Sequence, residues 1–197
     1  MRATGCDLEH AQEKLERHAR KRELGARSWM MKVLIVGAGG NFGSIISRKL
    51  SRIPEIELVL VGRSEQARDL AKELGAEYWQ GDALADGFAQ VLAQYAVELV
   101  VHAAGPFQNQ SLNVASACID YGCHYCDLSD AREFVTKSKA LDSSAREKGV
   151  AILSGCSSVP TLSSAVIDAY LASEPKAIAP QQGICGPLSC VARISQR

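Results

Sequence analysis

The sequence has no net charge, few aromatic residues and no long apolar run. Its 197 residues carry 22 basic and 22 acidic side chains, and aromatic residues make up only 6%. A balanced charge gives no electrostatic basis for binding nucleic acid. The apolar runs at 32–36, 57–61 and 97–101 fall far short of the roughly 18 residues that a membrane span needs. We therefore expect neither a nucleic-acid nor a membrane partner.

The N-terminal end also lacks the apolar segment of a secretory signal peptide. Residues 1–29 contain seven basic and five acidic side chains, unlike an acid-poor organellar transit peptide. The seven cysteines are an odd number, and free thiols are typical of a reducing compartment. We expect a cytoplasmic protein whose residues 1–30 form a charged helical extension.

From residue 32 onward, short apolar runs alternate with stretches of helical period, a pattern typical of a parallel sheet with crossover helices. We predict strands over 32–37, 57–62, 76–80, 97–104, 123–128 and 150–154. We predict helices over 41–53, 64–74, 85–95, 110–121, 131–148 and 162–171. This order indicates an α/β domain with a doubly wound parallel sheet of Rossmann type over residues 31–171. Residues 172–197 mix Pro, Gly and Cys, and we expect an irregular tail there.

The sharpest local signal is VLIVGAGGNFG at 33–43, a buried type of strand that leads through glycines into a helix. Gly37 permits a tight turn, Gly39 or Gly40 permits a pyrophosphate to approach the backbone, and Gly43 permits close helix packing. The phosphates would lie at the N-terminus of the helix, where N–H groups favour anions. A turn that serves chain geometry alone is the alternative, but its place in the first βαβ unit favours a dinucleotide. The predicted cofactor-binding residues here are Gly37, Gly39, Gly40, Asn41, Phe42 and Gly43.

The end of the second predicted strand favours NADP over NAD. An NAD site carries Asp or Glu there to bind the ribose 2′-hydroxyl, whereas an NADP site carries a cation for the 2′-phosphate. The strand ends in Arg63 and Ser64, with Arg68 one helical turn further on and no acidic residue at the tip. We predict that Arg63 and Ser64 bind the cofactor. An ordinary solvated arginine is the alternative for Arg63.

Two further loops complete the predicted cofactor site. Asp82 follows the third strand, where it is suited equally to contact with the adenine ring and to capping the next helix. The loop after the fourth strand begins with small residues that let the cofactor cross the strand ends, and the Pro and Phe that follow shape it. The predicted residues in these loops are Asp82, Ala83, Ala104, Gly105, Pro106 and Phe107.

Other chemically suggestive residues are interpreted as structural. Cys123 and Cys126 have the spacing of a redox or metal motif, but on a strand positions three apart point to opposite faces. We interpret both as buried structural cysteines and predict no metal site. His102 lies in an apolar strand and is interpreted as a packed core residue. Asp127, Ser129 and residues 156–158 follow the last two strands, but no catalytic residue is assigned.

Three motifs occur together: Gly-Pro-Phe at 105–107, an Ala-Cys helix that ends in Tyr-Gly at 121–122, and His-Tyr-x-Asp-Leu at 124–128. With the glycine turn, they make residues 32–168 resemble the NADP-binding domain of the saccharopine dehydrogenase family. The resemblance implies an NADP-dependent oxidoreductase that transfers a hydride to or from a carbon–nitrogen bond. It also implies a small, amino-acid-derived substrate.

Members of that family continue into a second, larger domain that closes over the substrate, and this sequence ends where that domain would begin. We therefore expect a truncated chain whose exposed apolar face favours self-association. Whether such a chain is catalytic by itself stays open. A non-catalytic NADP-binding sensor or interaction module is the main alternative, and a remnant that binds nothing is the other.

Overall fold

The computed structural model of the chain describes residues 30–85 and 87–173. Within them, one sheet has six strands: β1 Met31–Val36, β2 Ile56–Gly62, β3 Glu77–Gln80, β4 Leu99–His102, β5 His124–Asp127 and β6 Ile152–Leu153. The α-helices are α1 Asn41–Leu50, α2 Glu65–Leu74, α3 Phe88–Gln94, α4 Asn113–Tyr121, α5 Arg132–Ser138, α6 Asp142–Lys148 and α7 Ser163–Ser173. Residues 1–29 of the predicted extension and residues 174–197 of the predicted tail lie outside the described residues. The tail predicted from 172 begins too early, because residues 172 and 173 belong to α7.

The sheet is parallel throughout, with the strand order β3-β2-β1-β4-β5-β6. The chain moves outward from β1 to β3, returns to the centre and moves outward again from β4 to β6. The order therefore reverses between β1 and β4, and this switch point is where ligands of doubly wound sheets bind. In register, Val36 at the end of β1 pairs with His102 at the end of β4, which pairs with Asp127. The predicted doubly wound α/β fold is confirmed.

The sheet is buried on both faces because helices cover it on each side. Alternate residues of β1 serve different cores: Leu34 and Val36 pack in one cluster with residues of α3 and α4. Val33 and Ile35 pack in a second cluster with residues of α2. Such two-sided burial explains why the central strands are continuous apolar runs instead of alternating ones.

Three helices end immediately before a glycine, at the residues predicted from the sequence. Gly75, Gly122 and Gly149 follow α2, α4 and α6 and adopt φ values of 64°, 88° and 65°. Glycine adopts this left-handed conformation without the strain of a Cβ, which makes it the preferred residue just beyond a helix.

The predicted helix over 131–148 is wrong as a single element. The structure divides it into α5, a 3₁₀ turn at Lys139–Leu141, and α6. At the break, the Ser138 hydroxyl donates a hydrogen bond to the Val135 carbonyl at 2.8 Å. The same type of bond, from Ser44 to the Asn41 carbonyl, lies inside the unbroken α1, so the serine accompanies the break and does not explain it.

The predicted helix over 85–95 also begins too early. Asp82 does not cap it, because α3 begins at Phe88 and its N-cap is Gly87. Instead, Asp82 Oδ1 accepts a hydrogen bond from the Leu84 N–H at 3.0 Å and closes a local turn. This Asx-type turn holds the chain out of the helix for several residues. Of the two alternatives for Asp82, capping of the next helix is therefore excluded.

Other predicted ends differ by a few residues. The helices predicted over 41–53 and 110–121 are shorter, as α1 ends at Leu50 and α4 begins at Asn113. The strand predicted over 97–104 is only Leu99–His102, because the backbone beyond it forms the loop beside the glycine turn. No helix in the described part of the chain is long and apolar enough to cross a membrane.

Cys123 and Cys126 lie on opposite faces of the sheet, as predicted. Cys123 is buried in the cluster that contains α3 and α4, whereas Cys126 packs against the other cluster. Both are free thiols. Among residues 30–85 and 87–173, no group of three His, Cys, Asp or Glu side chains is arranged to hold a metal ion.

Candidate cofactor site

Two glycines in the turn from β1 into α1 cannot be replaced without displacing the neighbouring backbone. Gly37 has φ of 81°, and a Cβ there would lie 2.9 Å from the Cα of Ala104. A Cβ on Gly43 would lie 2.2 Å from the Gly37 carbonyl oxygen. The first turn of α1 thus packs directly on the glycine turn, and the loop after β4 packs on the same turn.

The two middle glycines differ from each other. A Cβ on Gly39 would lie 2.6 Å from Ser64 Oγ and 3.1 Å from the Ala67 nitrogen, so Gly39 lets the turn approach the start of α2. A Cβ on Gly40 would meet only the Gly37 carbonyl oxygen, at 3.3 Å. Gly40 is also solvent-exposed. The open backbone on which a phosphate could rest therefore begins at Gly40.

The N-terminus of α1 is suited to an anion. Gly40 is its N-cap and supplies no side-chain hydrogen bond, and no acidic residue lies in the first turn. The first N–H groups of an α-helix have no partner within the helix. Asn41 and Phe42 follow with exposed side chains, and 69% of the Phe42 surface is accessible. The helix thus presents free donors, with its positive dipole end, at the switch point.

Arg63 lies at the carboxyl end of β2 with 79% of its side chain exposed. Its Nη1 lies 3.2 Å from Oδ2 of Asp82, which follows β3. Arg68 is more constrained, since it pairs with Glu65 and donates a hydrogen bond to Gln80. Of these two arginines, Arg63 is therefore the more available to a ligand, because only an exposed ion pair holds its side chain. Ser64 is the N-cap of α2 by backbone geometry, but its hydroxyl makes no capping hydrogen bond.

The loop after β4 is fixed by a residue that sequence analysis missed. Gln110 Nε2 donates hydrogen bonds to the carbonyl oxygens of Ala104 at 2.9 Å and Pro106 at 2.7 Å. The Gly105–Pro106 peptide bond is cis. Gln110 thus holds the loop that contacts the glycine turn. No local signal marks it, because a glutamine six residues from its acceptor has no characteristic spacing.

Two of the predicted site residues have their side chains directed into the protein. Ala83 is buried in the core, so only its backbone is available to a ligand. Phe107 is 6% exposed, and its ring packs edge-on against His102 at 5.1 Å and Phe134 at 5.3 Å between centroids. Phe107 therefore supports the loop from below, while Gly105 and Pro106 form its exposed surface.

Two buried polar side chains, His102 and Tyr125, form a hydrogen-bonded pair beneath this loop. His102 Nδ1 and the Tyr125 hydroxyl are 3.0 Å apart in a hydrogen bond, and both residues are 1% exposed. Burial lowers the pKa of His102 to about 4, although the nearby Asp127 carboxylate acts in the opposite direction. Burial and, to a smaller extent, Asp127 raise the pKa of Tyr125. His102 is a packed core residue, as predicted, and neutral at neutral pH.

Asp127 ties together the loops that follow β5 and β6. Its Oδ1 accepts hydrogen bonds from the backbone N–H groups of Ser129 and Gly155, each at 2.9 Å. Its backbone carbonyl accepts a third from the Cys156 N–H at 2.8 Å. The carboxylate is completely buried. Asp127 therefore positions two loops at the same edge of the sheet as the glycine turn.

The thiols at this edge are held in their protonated form. Burial raises the pKa of Cys126 to about 12, and burial also raises that of Cys156, to which Asp127 contributes. Only the thiolate is an effective nucleophile. Neither cysteine is thereby activated for covalent or disulfide chemistry at neutral pH.

The sequence model of the family described as "Saccharopine dehydrogenase NADP binding domain" matches residues 33–153. The chain belongs to this family. It is a dehydrogenase-type nucleotide-binding domain, and its cofactor is NADP. The predicted family, fold and cofactor are thus confirmed. Among curated protein sequences, none matches the chain significantly.

A solved structure at low sequence identity shows the same fold. Apo saccharopine dehydrogenase (L-Glu forming) from Saccharomyces cerevisiae aligns with a TM-score of 0.62 at 18% identity, covering 73% of this chain and 31% of that chain. GenD2 from gentamicin A biosynthesis, in complex with NAD, aligns with a TM-score of 0.49 at 25% identity, covering 64% and 34%. This chain thus spans about a third of the length of either protein.

The residues present fit a dinucleotide. A Cβ on Gly40 would fill the open side of the turn, which as glycine leaves room for phosphate oxygens against the N–H groups of α1. The exposed guanidinium of Arg63 supplies positive charge one strand away, at the tip of β2. The predicted residues after β1, β2, β3 and β4 thus share one edge of the sheet.

Proposed function

We propose that this chain is the NADP-binding part of an oxidoreductase that transfers a hydride to or from an amino-acid-derived imine or its carbon–nitrogen bond. The open glycine turn at the N-terminus of α1 is the observation that carries the proposal, since it provides an uncapped anion site at the switch point. Membership of the family supports the carbon–nitrogen chemistry. The proposed cofactor-binding domain covers residues 31–171.

In this proposal the pyrophosphate binds the backbone of Gly40 and the first N–H groups of α1, beside Asn41 and Phe42. Gly37, Gly39 and Gly43 give the turn its shape, because each lacks a side chain that would collide with neighbouring residues. Charged anions are stabilised at such a helix terminus by both the free donors and the dipole. Removing the open space at Gly40 would therefore weaken binding without changing the fold.

The adenosine end of NADP is proposed to lie over the tips of β2 and β3. Arg63 and Ser64 would contact the 2′-phosphate, and Asp82 with the backbone of Ala83 would border the adenine. A phosphate carries more charge than the Asp82 carboxylate, so it competes well for the Arg63 guanidinium. Arg63 then has to exchange its ion pair with Asp82 for the cofactor.

The nicotinamide end is proposed to lie at the loop that runs from Ala104 to Phe107. NADP, when bound, supplies or accepts the hydride. The chain's own contribution is positioning: Gln110 fixes the carbonyls of Ala104 and Pro106, and Asp127 fixes the two loops beyond it. The family resemblance makes an amino-acid-derived small molecule the proposed substrate.

Self-association is proposed through the end of the domain. Leu162, which immediately precedes α7, and Val166 and Ile167 in its first turns are 59%, 58% and 47% exposed. Exposed apolar side chains that lie together favour burial against another surface. Analytical ultracentrifugation over a range of concentrations tests this: a monomer at every concentration would contradict it.

The cofactor assignment is tested by titrating the purified chain with NADPH and with NADH while nicotinamide fluorescence is followed. We expect NADPH to bind more tightly, and Arg63→Asp to weaken NADPH selectively. Arg146→Asp is the matched control, because Arg146 is also an exposed arginine in an ion pair, with Asp142. Absence of NADPH binding would refute the proposal. Turnover with NADPH and imine substrates would distinguish an enzyme from a binding module.

A further inference from the structure

Three polar side chains are buried beside one another where β4, β5 and β6 end. His102 and Asp127 are register partners at the ends of β4 and β5. Ser154 directly follows β6, and the N–H of its neighbour Gly155 donates a hydrogen bond to Oδ1 of Asp127. The exposed fractions of His102, Asp127 and Ser154 are 1%, 0% and 8%. Polar groups that are shielded from solvent to this degree normally have hydrogen-bond partners.

Each of these side chains nevertheless has one buried atom without a partner among residues 30–85 and 87–173. The atoms are Nε2 of His102, Oδ2 of Asp127 and Oγ of Ser154. Oε1 of Gln110, in the loop after β4, is a fourth such atom. Leaving a buried polar atom unsatisfied costs more than a typical hydrogen bond contributes, and the cost is greatest for a charged group. The three atoms at the strand ends therefore need a partner other than one another.

The spacing of the strands suits a molecule that bridges these side chains. Neighbouring strands are about 4.8 Å apart. A direct hydrogen bond between two oxygens spans only about 2.8 Å, whereas two hydrogen bonds that meet at one oxygen in a tetrahedral arrangement span about 4.6 Å. A single small molecule between register partners thus matches the strand spacing, which agrees with the lack of direct bonds among the three atoms.

Water has the donors and acceptors that this set of atoms needs. Oδ2 of Asp127 only accepts, whereas the Ser154 hydroxyl both donates and accepts. Nδ1 of His102 bonds to the Tyr125 hydroxyl, so Nε2 is a donor or an acceptor according to the tautomer. Burial lowers the pKa of His102 to about 4, so the neutral imidazole is no counter-ion for the carboxylate. A buried water molecule typically makes about three hydrogen bonds, which is the number of atoms to be satisfied.

We propose that His102, Asp127 and Ser154 form an internal hydration site that holds one water molecule, bonded to Nε2, Oδ2 and Oγ. The water joins the ends of three neighbouring strands, in addition to the direct bonds through which Asp127 holds the loops after β5 and β6. The Phe107 ring, 5.1 Å from that of His102, packs against the site from the loop after β4. The inference goes beyond the proposed function and does not rest on it, because the site is formed by buried groups of the core.

Oxygen-17 relaxation dispersion of the whole chain in ¹⁷O-enriched water measures long-lived internal water, and it does not respond to exchanging hydroxyl protons. We expect the amplitude in Ser154→Val to be lower than in Ser154→Thr by the contribution of one water molecule. Threonine and valine have nearly the same shape, but only threonine keeps a hydroxyl. Equal amplitudes in the two variants would overturn the proposal. The amplitude should also be the same in sodium chloride and in choline chloride, since dependence on the salt would assign the site to a monovalent cation instead.

Urea unfolding of Ser154→Ala tests the same site with a residue that needs no additional space, even if the larger side chains disturb the fold. If water satisfies the hydroxyl, alanine removes a hydrogen bond and should raise the unfolding equilibrium constant about fivefold. Ser129→Ala is the matched control, because Ser129 is also buried and its Oγ accepts a hydrogen bond from the Ala131 N–H at 3.1 Å. The control should raise the constant by a similar factor. A lower unfolding constant in Ser154→Ala would show that the hydroxyl is unsatisfied, and the hydration site would be refuted.

Discussion

The Arg63 guanidinium lies 3.2 Å from the Asp82 carboxylate, joining the loops that follow β2 and β3. Both groups are exposed, so the pair itself adds little to stability, about 1 kcal/mol or less. Its importance is for the cofactor, because Asp82 neutralises the cation that is proposed to bind the 2′-phosphate.

Asp82→Asn should strengthen NADPH binding a few fold, because Arg63 is then free before the cofactor arrives. Fluorescence titration measures the change. In the double variant Asp82→Asn with Arg63→Gln the gain should disappear, as expected for two coupled residues. If Asp82 instead holds the adenine, Asp82→Asn would weaken NADPH and NADH alike, which would contradict the prediction.

Gly40→Ala and Gly43→Ala should separate binding from folding. At Gly40 φ is −80° and the added methyl would make one tight contact, 3.3 Å from the Gly37 carbonyl oxygen, so stability should fall by about 1 kcal/mol, the cost of alanine at an N-cap, while NADPH binding is lost. At Gly43 the methyl would meet the Gly37 carbonyl oxygen at 2.2 Å, and such overpacking costs about 1–3 kcal/mol or more. Urea unfolding and NADPH titration of both variants test this. Equal losses of stability would contradict it.

His102 should make the fold sensitive to mild acid. Its pKa is lowered from 6.5 in the unfolded chain to about 4 in the folded one, so His102 binds a proton less tightly in the folded state. Stability is therefore unaffected above the unfolded pKa and falls as pH decreases from there toward 4. The linked loss between about pH 7.5 and pH 5 is about 2 kcal/mol.

Urea unfolding at those two pH values measures the loss, and His102→Gln should reduce it. The quantity to compare is the change in the free energy of unfolding between the two pH values. Absolute stabilities are not compared, because other groups titrate in both proteins and the variant has its own baseline stability. An identical pH dependence in His102→Gln would show that His102 is not the responsible group.

Asp127→Ala should destabilise the loops after β5 and β6. It leaves the buried N–H groups of Ser129 and Gly155 without their acceptor, and each unsatisfied group costs about 1–3 kcal/mol. Asp127→Asn keeps one oxygen acceptor and should lose less. Hydrogen exchange at the two amides should accelerate most in Asp127→Ala. Unchanged protection of both amides would contradict the assigned role.

Much of the fold is predictable because its signals are local. The apolar runs of β1, β2 and β4, the glycines that end α2, α4 and α6, and the turn after β1 all depend on neighbouring residues. The single helix predicted over 131–148 is wrong because hydrophobic period does not distinguish an α-helix from two helices joined by a short 3₁₀ turn.

The site was predictable only in part. The glycine turn and Arg63 are recognisable because a phosphate requires those residue types at those places in a βαβ unit. The role of Gly39 in packing against Ser64 depends on how two segments approach each other, and the sequence between them carries no sign of it.

The sequence by itself determined the order of strands and helices, the glycine turn and the preference for NADP, since each follows from local periodicity or from the chemistry of adjacent residues. Only the tertiary structure decided that Asp127 accepts a hydrogen bond from Gly155, 28 positions along the chain, that Gln110 holds the loop on the glycine turn, and that Arg63 pairs with Asp82. It also decided that residues 107–110, after β4, and residues 131–134, after β5, line one cleft. These contacts join segments that only the parallel sheet brings to one edge, so no spacing along the chain could reveal them.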